Sequence, residues 1–149
     1  MRYIAAVTER DMEIFMSHLA MELLSVEATV LIDLYFDEPP SDERIQKSFQ
    51  AMTEIAGKKS PASMWRRLFK GGDSLMGVEV DLSRGDQVSH FSRLAHQVIN
   101  AEAWSGDRQL FGTIESPVRV WVDMPDDTIE KILTVSRDAG SSVRMEPES

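Results

Sequence analysis

Three segments of the chain alternate apolar and polar residues with period two. They are Val30-Leu31-Ile32-Asp33-Leu34-Tyr35-Phe36-Asp37, Met76-Gly77-Val78-Glu79-Val80-Asp81-Leu82 and Val118-Arg119-Val120-Trp121-Val122-Asp123. Successive side chains of a strand point to opposite faces, so each segment predicts a strand with one buried and one wet face. The buried parity carries Val30, Ile32, Leu34 and Phe36, then Met76, Val78, Val80 and Leu82, then Val118, Val120 and Val122. The wet parity carries acids, Arg119 and two large aromatics, Tyr35 and Trp121.

Between the strands the apolar spacing changes to that of helices. Thr8 caps a predicted helix with a stripe of Met12, Phe15, Met16, Leu19 and Leu23. Pro39-Pro40-Ser41-Asp42-Glu43 starts a second, with Ser41 as N-cap, a stripe of Ile45, Phe49, Met52 and Ile55, and a stop at Gly57. After the break at Lys58-Lys59-Ser60-Pro61, residues 62–70 read as a short basic amphipathic helix closed by Gly71-Gly72. Ser83-Arg84-Gly85-Asp86 turns into a helix marked by Val88, Phe91, Leu94 or Ala95, and Val98, and expected to run to about Trp104. The stretch from Gln109 to Ile114 fits either a short strand or an ordered loop. A last helix carries Ile129, Ile132, Leu133 and Val135, with Asp126 as a candidate cap, and Ser142 to Met145 fits an edge strand. An opening strand from about Tyr3 to Val7 completes the order β-α-β-α-(α)-β-α-(β)-β-α-β.

That alternation suits a doubly wound parallel α/β sheet of the flavodoxin kind. Strands at the centre of such a sheet are covered on both faces, which these ionised wet faces oppose. The expectation is therefore an α+β two-layer sandwich, a mixed sheet of about five strands with helices on one face. Residues 1–146 make one domain on this reading, and 147–149 a frayed tail.

Composition narrows function mostly by exclusion. Twenty-five acids against sixteen bases leave a net charge of −9, which repels a phosphate backbone and attracts basic surfaces. Cysteine is absent, removing thiolate nucleophiles and ligands. No apolar run is long enough to span a membrane and the N-terminal segment lacks a cleavage pattern, so a cytoplasmic location is expected. The histidines His18, His90 and His96 include no i,i+4 pair, and His90 and His96 read as solvated helix residues rather than general bases. Neither a Gly-x-Ser-x-Gly elbow nor a phosphate loop occurs, and Arg84-Gly85-Asp86 reads as a turn. No cofactor or metal is implied.

Three constellations remain. If the strands share a sheet, the wet face gathers Asp33, Tyr35, Asp37, Glu79, Asp81 and Trp121, a partner-binding patch for a basic protein surface or for a second copy of the chain. The function that follows is a non-catalytic acidic binding protein, an inhibitor, immunity protein or nucleic-acid mimic, with no direct nucleic-acid or membrane contact. The alternative is a Mg²⁺-dependent phosphoryl-transfer or hydrolytic enzyme using the strand-end aspartates Asp37, Asp81 and Asp123. The basic island of Lys58, Lys59, Arg66, Arg67 and Lys70, around Met64, Trp65, Leu68 and Phe69, reads as a docked helix with hydrated charges, the alternative being a grip on a phosphate or an acidic partner.

Overall fold

The computed structural model describes residues 1–35, 40–59, 75–98 and 100–147. These form an α+β fold with seven strands: β1 (Arg2–Ala6), β2 (Thr29–Leu34), β3 (Leu75–Val80), β4 (Asn100–Ser105), β5 (Arg108–Thr113), β6 (Arg119–Val122) and β7 (Val143–Met145). The four helices among the described residues are α1 (Glu9–Ser25), α2 (Glu43–Lys59), α3 (Gly85–Leu94) and α4 (Asp126–Asp138). One sheet runs in the order β3-β2-β4-β5-β6-β1-β7, and every neighbouring pair is antiparallel. This overturns the doubly wound alternative, the mixed sheet and the count of five strands.

One extra strand, β4, comes from the segment expected to continue a helix to Trp104, and the other, β5, is the stretch around 109–114 that fitted either a strand or a loop. α3 ends at Leu94, and 100–105 pairs with β2 on one side and β5 on the other. Ser105-Gly106-Asp107-Arg108 is the hairpin turn between β4 and β5, with Gly106 at φ +61°, the left-handed geometry that two-residue hairpin loops demand. Within β4, Ala101 and Ala103 are buried while Asn100, Glu102 and Trp104 are half-buried.

The helical stripes fall where the pattern put them. Met12, Phe15, Met16, Leu19 and Leu23 of α1 are fully buried, and they join Ile4, Val30, Ile32, Leu34, Phe111, Val120 and Val122 in one core cluster. The Thr8 hydroxyl accepts from Asp11 N–H at 3.1 Å while the Asp11 carboxylate accepts from Thr8 N–H at 3.1 Å, a reciprocal cap. Other local readings need correction. Asp42, not Ser41, accepts the Arg44 N–H at the start of α2, and the helix passes Gly57 to Lys59. Asp126 makes no cap and instead takes Arg2 as a fork at 2.8 and 3.0 Å. Val135 lies outside the α4 stripe and is exposed. Met76 is exposed as well, because a bulge between the Ile32 and Leu34 pairings, with Gly77 at φ +64°, shifts its parity. The basic segment 62–70 lies outside the described residues.

Candidate functional site

Opposite the core parity, the register lines up one row of residues across six strands. Glu79 pairs with Leu31, Leu31 with Glu102, Glu102 with Gly112, Gly112 with Trp121, and Trp121 with Tyr3. Glu79 is exposed, Gly112 is buried, and Leu31, Glu102, Trp121 and Tyr3 are half-buried. Directly paired residues on one face have Cβ atoms about 5 Å apart, so the row is a continuous strip, acidic at β3 and β4 and aromatic at β6 and β1.

Gly112 shapes the strip. A Cβ placed there would meet Trp121 Nε1 at 2.5 Å and Cε2 and Cζ2 at 2.6 Å, so the indole lies on the bare backbone of β5. This is a close approach that only glycine permits. Beside it the Arg119 guanidinium stands 4.4 Å over the Tyr3 ring and forks onto Glu146 at 2.7 and 2.8 Å.

The residues expected at the site divide by role. Glu79 and Trp121 share the row. Asp33 lies on the same face, but its carboxylate accepts Gly77 N–H at 2.7 Å and the Asn100 amide at 3.3 Å, pinning the β3 bulge. Asp81 follows β3 and accepts from Ser83 N–H at 3.0 Å and Ser83 Oγ at 2.5 Å, the turn that leads into α3. Tyr35 is half-buried just past the end of β2, and Asp37 lies outside the described residues. Tyr3, Glu102 and Trp104 belong to the face without having been singled out; the alternation Ala101-Glu102-Ala103-Trp104 was the available signal.

The antiparallel order also places the strand-end aspartates. β3 and β6 run the same way, so Asp81 and Asp123 share one end of the sheet, four strands apart or about 19 Å. β2 runs the other way and ends at the opposite end. Arg108 lies 3.4 Å from Asp123 and, with a hydrogen bond as the larger cause, holds its carboxyl below the usual range. Among the described residues, no group of three His, Asp or Glu side chains is placed to hold a metal ion.

A second polar cluster joins the helices. Glu13 accepts Arg10 at 2.7 Å and Arg44 at 2.8 Å, with Arg93 Nε at 3.6 Å, a Coulombic contact longer than a hydrogen bond. The pair with Glu13 raises the Arg44 pKa. Glu13, Arg10 and Arg44 border a cavity of about 380 Å³ whose other lining includes Thr8, Glu9, Asp42, His96 and Gln97. His96 is 5% exposed, not solvated, and burial drives its pKa down to about 4 against the opposing pull of Glu13 and Glu9. Its Nδ1 has no hydrogen-bond partner among the described residues. His90 Nδ1 lies 3.1 Å from Ser48 Oγ, but Ser48 has zero exposure, so the contact ties α2 to α3 rather than presenting a nucleophile.

Among the described residues, no helix is long and apolar enough to cross a membrane. Comparison with protein-family models, with curated proteins and with solved structures gives no match in any of the three.

Proposed function

We propose that the chain is a non-catalytic acidic binding protein of the cytoplasm, whose two-layer build leaves one sheet face to occupy a basic site on a partner protein. Inhibitors, immunity proteins and nucleic-acid mimics work in this way. The observation that carries the reading is the unbroken row from Glu79 through Leu31, Glu102 and Gly112 to Trp121 and Tyr3, on the parity opposite the buried strand residues. It combines carboxylates with a rigid aromatic anchor, the pairing that gives fast encounter and slow release. The net charge of −9 adds long-range attraction for a cationic surface.

The test is capture from the source cell with the wild-type chain beside two variants. Glu79→Gln with Glu102→Gln should slow association and flatten its salt dependence, while Trp121→Ala should speed dissociation and cost about 2 kcal/mol or more. A captured partner that is acidic, or binding untouched by both variants, contradicts the proposal. Self-association lost in the same variants would make the partner a second copy of this chain.

A further inference from the structure

Resting on the binding-face reading, we propose that Trp121 and Glu102 together form a receptor for an arginine side chain presented by the partner protein. The indole edge of Trp121, at Nε1, Cε2 and Cζ2, sits against the backbone of Gly112, and the ring is only half-buried, so part of it remains open to a partner. Trp121 stands outside the core cluster and is half-buried. Gly112, the cross-strand partner of Trp121, pairs on its other side with Glu102. A guanidinium placed on the open part of the indole therefore comes within reach of the Glu102 carboxylate, one strand beyond Gly112. Among the described residues Glu102 takes part in no ion pair.

The sheet already builds this arrangement once from its own residues. Arg119 stacks over Tyr3 at 4.4 Å and forks onto Glu146, one strand from Trp121 in the same face. There an aromatic ring, a carboxylate and a guanidinium make a closed set; at Trp121 and Glu102 the ring and the carboxylate are present and the guanidinium is to be supplied. Arginine fits better than lysine because a planar guanidinium can stack on a ring and donate in its own plane at the same time. A lysine ammonium is more strongly hydrated and satisfies the carboxylate without using the ring. Leu31, next in the row beyond Glu102, provides an apolar floor for neighbouring methylene groups of the partner.

Two synthetic peptides of equal length and charge, one alternating Arg and Gly and the other Lys and Gly, separate this receptor from general charge attraction. Titration is followed by calorimetry and by the Trp121 indole N–H resonance. The arginine peptide should bind about 10-fold more tightly than the lysine peptide and shift the Trp121 signal. Trp121→Leu and, separately, Glu102→Gln should each bring arginine affinity down toward that of lysine. Circular dichroism verifies that each variant is folded; were Trp121→Leu unfolded, Glu102→Gln and the indole shift decide the matter alone. Equal affinity for both peptides in the wild type, or an arginine preference that survives either folded variant, overturns the receptor. Salt-sensitive binding of both peptides without preference overturns the receptor alone, whereas binding of neither peptide also removes the basic-partner reading on which it rests.

Discussion

Gly112→Ala isolates the contact on which the shape of the binding face depends. Carbon atoms in contact sit about 3.5 to 4.0 Å apart, so the new methyl, at 2.5 to 2.6 Å from three indole atoms, forces Trp121 to retreat by about 1 Å or to swing off the sheet. Retreat strains a packed contact at about 1 to 3 kcal/mol. Swinging out returns one ring face to water, roughly 60 Å² or about 1.5 kcal/mol at 25 cal/mol/Å². Either route therefore costs about 1 to 3 kcal/mol. Gly112 does not have positive φ, so alanine meets no backbone penalty there. In a Trp121→Ala background the same change should be neutral or stabilising by about 0.4 to 1 kcal/mol, because alanine restricts the unfolded chain. Urea unfolding of the four proteins, followed by far-ultraviolet circular dichroism, gives the double-mutant cycle, with a coupling of about 2 kcal/mol expected. An equal cost of Gly112→Ala in both backgrounds refutes the stacked indole.

Three further outcomes follow from the same geometry. His96 is held neutral, with its pKa lowered from 6.5 to about 4 by burial, so the unfolded chain binds the extra proton and stability falls as pH drops from about 6.5 to 4, by roughly 3 kcal/mol in all; His96→Phe should flatten unfolding free energy over that window, and an unchanged slope would show His96 to be solvated. Asp33→Ala should destabilise by about 1 kcal/mol or more by leaving the Gly77 N–H without its acceptor, read as a lower urea midpoint, and Asp33→Asn by less. Millimolar Mg²⁺ should leave the melting temperature unchanged, since the ends of β3 and β6 are about 19 Å apart; a rise abolished by Asp81→Asn would restore the enzyme reading.

Periodicity revealed what is local. The α1 stripe and the alternation of β2 and β6 depend on spacing alone, and Phe15, Leu19, Ile32 and Val120 are buried where that spacing put them. β4 was hidden because Ala101, Glu102 and Ala103 favour helices, and only pairing with β2 and β5 makes them a strand. The outward parity of Trp121 could be read from the chain, but its seat on Gly112 depends on a cross-strand register that no local pattern encodes. Asp33 was correctly placed off the core, yet its service to a bulge on another strand is tertiary. His96 misled because its polarity argues for water, while the turn after α3 carries it under the first turns of α1 and α2.

The central claim is that the face opposite the helices receives a basic partner. Mapping backbone amide and Trp indole chemical shifts of the full chain during titration with the alternating Arg-Gly peptide tests it most directly. Perturbations should concentrate at Leu31, Glu79, Glu102, Gly112, Trp121 and Tyr3 and fade as salt is raised. Perturbations centred instead on the helical side, around Thr8, Arg44 and Gln97, would contradict it.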